Sequence, residues 1–191
     1  MKNQKLHLGA MLAFGLLMGF PVAFPTVVKA QDVGVVAGIR ADSADGEGTT
    51  DIGQRVNFQA GVIGKFELSG PLQIRSGMLY VQRGYELKGT NSTDQLTSTY
   101  FEVPVGLLYK FSDFGGVFIG PALGLGLSKN CPASCNGADV ASSLVSVQFG
   151  ASFKIAPQFG FEVYYEALTG NIAKGIKNPR AIVANAMITF D

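Results

Sequence analysis

Tyr100-Phe101-Glu102-Val103-Pro104-Val105-Gly106-Leu107-Leu108-Tyr109-Lys110-Phe111 alternates with a period of two. Phe101, Val103, Val105, Leu107, Tyr109 and Phe111 fall on one face of an extended chain, and Tyr100, Glu102, Pro104, Gly106, Leu108 and Lys110 on the other. Successive side chains of a strand point to opposite sides, so the stretch predicts a strand with one apolar and one mixed face. It is also long enough to cross a bilayer, for which a tilted strand needs ~9–11 residues.

The same alternation recurs on both sides of this stretch. It predicts strands near 33–40, 54–67, 72–86, 97–111, 116–128, 140–155, 159–168 and 180–190. The connections sort into two kinds. Ser69-Gly70-Pro71, Ser112-Asp113-Phe114-Gly115 and Ala156-Pro157-Gln158 are short, whereas 41–53 and 129–139 are long and polar. Short turns at one end and long loops at the other belong to an outer-membrane barrel, with the turns in the periplasm. The fold class expected is an all-β, antiparallel, up-and-down transmembrane β-barrel of about eight strands.

Composition agrees with a lipid-facing surface. Charged residues make up 15% of the chain, against about 25% in a typical soluble domain. Period two cannot by itself say which face points inward, since a lipocalin-like barrel has its apolar face inside. Glycine and serine crowd the polar face, which suits a narrow lumen. Aromatics also collect at strand ends, with Phe66, Tyr109, Phe111, Phe159 and Phe190 toward the turns and Tyr80, Tyr85 and Phe101 toward the loops. Two such belts are expected at the bilayer interfaces, and the polar face is therefore assigned to the lumen.

The N-terminus reads as a cleavable Sec signal peptide over residues 1–30, followed by the barrel domain over 31–191. Lys2 and Lys5 precede an uncharged apolar run from Leu8 to Phe24, and Val28-Lys29-Ala30 supplies a cleavage site before Gln31. Pro21 and Pro25 would break a continuous spanning helix. Losing Lys2, Lys5 and Lys29 leaves 12 basic against 14 acidic residues, a formal charge of −2. No basic patch calls for nucleic acid, and the single histidine, His7, leaves with the signal peptide.

Inward positions gather the charges of the barrel. Arg40, Lys65, Arg75, Arg83, Lys110 and Lys154 would face Glu67, Glu102, Glu162 and Glu166. Unpaired charges in so small a lumen are costly, so a paired network that fills the barrel is expected rather than an ion path. Glu162 and Glu166 lie on one face, but with basic neighbours available they predict salt bridges rather than acid–base chemistry. The acidic residues Asp42, Asp45, Glu47 and Asp51 read as a solvated loop without EF-hand order.

Cys131 and Cys135 form Cys-Pro-Ala-Ser-Cys in the loop after the fifth strand. With no third cysteine and no histidine beyond His7, a local disulfide made after export is expected, not a metal site. Gly120, Gly124 and Gly126 match neither a dinucleotide fingerprint nor a P-loop and read as small inner-face residues.

Several stretches carry a family resemblance. Val56 to Leu68 resembles the second strand of the PorT-like outer-membrane β-barrel domain family. Leu79-Tyr80-Val81-Gln82-Arg83-Gly84, Tyr100 to Phe111 and Phe118-Ile119-Gly120-Pro121-Ala122-Leu123-Gly124 are similar to three further segments of it. The resemblance covers nearly all of 33–190 and implies an eight-strand outer-membrane barrel without an assigned activity. Barrels of this kind end on an aromatic residue read by the assembly machinery, whereas here Asp191 follows Phe190. The expectation is a non-enzymatic, monomeric outer-membrane protein without cofactor or metal. Its partners would be membrane lipids and the assembly machinery, and its role structural or adhesive through the loops. The alternatives are a narrow pore for small solutes and a soluble periplasmic ligand binder.

Overall fold

The computed structural model describes residues 30–46, 51–88, 93–130 and 140–190. Residues 1–29, which make up all but the last residue of the expected signal peptide, lie outside the described residues, as do Cys131, Cys135 and Asp191. Every regular element among the described residues is a strand: β1 (Ala30–Gly46), β2 (Asp51–Gly53), β3 (Arg55–Ser69), β4 (Leu72–Lys88), β5 (Thr93–Ser112), β6 (Gly115–Asn130), β7 (Ser143–Ala156), β8 (Phe159–Leu168) and β9 (Ile176–Phe190).

Neighbouring strands pair antiparallel around a ring, β1-β3-β4-β5-β6-β7-β8-β9, and β9 returns to β1. The short β2 pairs only with the far end of β4, so it prolongs the β3 hairpin instead of adding a wall. The result is a closed eight-stranded barrel with no free edge, which satisfies the backbone hydrogen bonds that lipid cannot. Short turns join β3 to β4, β5 to β6 and β7 to β8 at one end. Gly70 in the first of them has φ 54, a left-handed conformation that glycine adopts without a Cβ penalty.

The two faces separate as alternation demands. Outward positions carry apolar side chains, including Ile39, Phe58, Val105, Leu107, Phe149 and Ile182, all exposed. Inward positions are buried and mix apolar with polar and charged side chains, Gln59, Arg75, Arg83, Glu102, Gln148 and Glu162 among the latter. An apolar exterior around an interior that carries the charges is the arrangement of a membrane barrel, inverted from a soluble one.

The strands differ from the sequence reading at their loop ends. β1 runs to Gly46, β5 starts at Thr93 and β9 at Ile176, so much of the expected loop 41–53 and of its counterparts is ladder. Outward residues there are polar, as Ser43 and Asp45 are, and the apolar alternation that marks a spanning strand stops before the hydrogen bonding does. Tyr85 corrects the expected aromatic belt. It shares the parity of Arg83 and is 1% exposed, inside the lumen, while Tyr80 is exposed on the outer face.

The lumen is not polar throughout. At the loop end Tyr85, Leu96, Tyr100, Leu144, Ile172 and Ile176 pack into an apolar cap. Ile172 belongs to the β8–β9 connection, which turns inward and accepts a 2.8 Å hydrogen bond from the Ala141 amide at its carbonyl. Smaller apolar clusters around Ile63 and Leu79, and around Leu108 and Phe118, line the barrel below.

Candidate functional site in the barrel lumen

Strand period places the charged side chains. Arg40 and Asp42 are two apart on β1, Glu162 and Glu166 four apart on β8, and Arg75 and Arg83 eight apart on β4. Each pair therefore projects to one side of its strand, which the register makes the inside. In the ring of eight, β4 and β8 stand opposite one another.

Two sets of ion pairs result. In the first, Arg75 grips Glu162 across the barrel with two hydrogen bonds, Nε to Oε1 at 3.0 Å and Nη2 to Oε2 at 2.6 Å. The Arg75 guanidinium also lies over the Phe118 ring, 4.3 Å from its centroid, a cation–π contact. In the second, Glu166 bridges two arginines, accepting from Arg40 Nη2 at 3.0 Å and from Arg83 Nη2 at 2.6 Å. Arg83 reaches Glu102 on the adjacent strand at 2.6 Å, and Arg40 reaches Asp42 at 2.9 Å.

Neutral side chains complete the network. Gln59 accepts from Arg40 Nη1 at 3.1 Å and donates to the Tyr164 hydroxyl at 2.7 Å. Asp42 accepts from Asn57 at 2.8 Å and from the Gly84 amide at 3.2 Å. A Cβ at Gly84 would sit 2.7 Å from Asn57 Oδ1, so glycine there lets the backbone approach the carboxylate. The arginines and carboxylates named here are at most 2% exposed. Removing such ions from water costs several kcal/mol each, an expense that multiple close contacts offset.

The charges singled out by sequence thus divide. Arg40, Arg75, Arg83, Glu102, Glu162 and Glu166 meet in the network. Lys65, Lys110 and Lys154 sit instead at the turn-end mouth of the lumen. There Lys65 donates to Ser152 Oγ at 2.8 Å, Lys154 pairs with Asp32 at 3.5 Å and Lys110 with Asp113 at 3.4 Å. Glu67 is exposed beside the β3–β4 turn and joins neither group. Asp42 was missed because its segment read as a solvated loop; it is fully buried and ligates Arg40. Its signal was its parity with Arg40, two residues earlier. Tyr164 and Gln59 carried only the weaker signal of inward parity.

Glu162 and Glu166 hold separate arginines, an arrangement that makes each a structural anion instead of half of a proton-transfer pair. Among the described residues, no group of three or more His, Cys, Asp or Glu is placed to hold a metal ion.

Residues 3–172 match the model of the outer membrane protein β-barrel domain family. No curated relative matches the chain. Among solved structures, Ail, the attachment invasion locus protein of Yersinia pestis, is similar at 11% identity and a TM-score of 0.52, covering 85% of this chain and 100% of that one. Neisserial surface protein A is similar at 13% identity and a TM-score of 0.54, covering 83% of this chain and 97% of that one. At such identities the likeness is one of fold.

Proposed function

The chain belongs to the outer membrane protein β-barrel domain family, and from that premise we propose that it is a sealed, non-enzymatic outer-membrane barrel with a structural or surface-interaction role. The resemblance to the PorT-like branch is part of this proposal. The observation that carries it is the cross-lumen pairing of Arg75 with Glu162 and of Arg83 with Glu166. These contacts tie opposite walls together where a channel would need an open path, and the apolar cap lies above them. An eight-strand barrel has room for little more than its own side chains.

With the lumen filled, the surface left for partners is the loop-end rim, where the hairpins continue past the apolar belt. The sequence supports the absence of catalysis in a further way, since His7 is its sole histidine and lies in the proposed signal peptide.

Planar bilayers with purified protein test the sealed barrel: no discrete conductance steps are expected. Regular steps of uniform size would overturn it and favour the narrow pore. Adherence of cells carrying the full-length chain, compared with cells whose 131–139 loop is shortened, tests the rim's role. Equal adherence by both, at equal surface level, would remove that loop from the proposal.

A further inference from the structure

From the turn-end mouth of the barrel, we propose a binding site for one small oxyanion of the phosphate class, held by Lys65, Lys110 and Lys154. The three lysines line one cavity of about 70 Å³, together with Asp32, Gln73 and Ser152. At roughly 30 Å³ per water, that is room for one tetrahedral oxyanion in place of about two waters.

The charge balance selects the ligand. Lys65 is only partly exposed; its ammonium donates to Ser152 Oγ at 2.8 Å and feels the Glu162 and Asp32 carboxylates electrostatically. Lys154 shares Asp32 at a loose 3.5 Å. Lys110 has Asp113 at 3.4 Å, and that carboxylate is fully in solvent, where such a pair contributes little. The cavity lining thus sets three ammonium groups against two carboxylates, Asp32 and the solvent-exposed Asp113, and keeps a surplus of positive charge. Lysine binds phosphate as a point charge, and three lysines lining one cavity suit an anion with several equivalent oxygens.

Backbone geometry keeps the space clear. Gly116 and Gly160 line the cavity, and a Cβ at Gly160 would lie 2.6 Å from Phe153 O. The site adjoins the turn-end of the sealed network: Lys65, the deepest of its lysines, is the cross-strand neighbour of Arg75, and its ammonium donates to Ser152 on β7.

The ligand chemistry has two sources, free phosphate and the phosphodiester of a lipid headgroup. The mouth opens along the barrel axis, away from the lipid-facing exterior, which favours the free anion. The experiment uses protein purified from outer membranes in zwitterionic detergent. Inorganic phosphate is titrated at constant ionic strength against chloride, read by phosphorus NMR line broadening and by the urea midpoint of unfolding. A saturable response is expected, weakened at least tenfold in Lys65→Met and in Lys110→Gln, and unchanged in Lys129→Gln at the loop end. Heat-modifiable gel mobility shows that each variant is folded, and two mouth variants guard against the failure of one.

A response without saturation, or one weakened equally by Lys129→Gln, would overturn the site. So would a response to phosphatidylglycerol in nanodiscs with none to inorganic phosphate, because it would place the lysines at the lipid surface.

Discussion

The Arg75–Glu162 pair offers the sharpest perturbation. Its partners are 1% and 0% exposed, joined by bonds of 3.0 and 2.6 Å. Glu162→Leu leaves a buried guanidinium without its carboxylate, at a cost of roughly 3–5 kcal/mol. The Phe118 ring 4.3 Å away returns only about 0.5–2 kcal/mol of that, and it is already engaged in the wild type. Arg75→Met should cost a similar amount by stranding the carboxylate. The double variant removes both charges and replaces them with apolar groups of comparable size, which is often close to neutral. It should therefore fall within about 1–2 kcal/mol of wild type, a coupling of several kcal/mol that additive sites would not give. Urea titration in detergent, followed by far-ultraviolet circular dichroism and gel mobility, measures it; the chain has no tryptophan to report by fluorescence. Two results would refute the reasoning. Single variants costing less than about 1 kcal/mol would mean the lumen is wet enough to solvate either charge. A double variant costing the sum of the singles would mean that the two residues do not act as a pair.

Three further outcomes are expected. Val105→Arg puts a charge on an outward position that is 47% exposed and should lower stability by roughly 2–4 kcal/mol if near the bilayer midplane; wild-type folding of this variant would mean that the face is not lipid-bound. Amino-terminal sequencing of protein from isolated outer membranes should begin at Gln31, and recovery of residues 1–30 in that protein would count against cleavage. Unreduced protein should weigh two hydrogens less than reduced protein through a Cys131–Cys135 disulfide; full alkylation of both thiols under native conditions would exclude it.

What the sequence made legible follows from the pleat. A strand's period of two maps apolar residues to one face whatever their partners, so Tyr100 to Phe111 disclosed both its conformation and its exterior. Strand ends were less legible, because past the membrane the ladder continues while the outward residues turn polar, as they do from Ser43 on β1. Tyr85 shows which of two signals to weigh more. Its residue type suggested an interface belt, its parity with Arg83 put it inside, and parity prevailed because one step along a strand reverses the face. The partners of each charge were the least legible feature. Arg75 and Glu162 are 87 residues apart and Arg40 and Glu166 126 apart, so only the ring order of strands brings them together.

That ring order suggests why the lumen holds ion pairs where apolar packing would cost less to desolvate. A slip of one residue in β4 would turn Arg75 and Arg83 toward lipid, at about 2–4 kcal/mol for each near the midplane. A slip of two keeps both inside but moves them about 6.6 Å along the strand, which separates contacts of 2.6 Å. An apolar interior would resist the first slip far more than the second. The cross-lumen pairs penalise both, and in this reading they fix register at some expense of stability, a use attested for buried polar groups elsewhere. The double variant Arg75→Met/Glu162→Leu should then keep most of its stability yet refold into more than one species on a heat-modifiability gel. A single sharp species with the wild-type pattern of amide hydrogen exchange would show that register is fixed by the turns and the outer face alone.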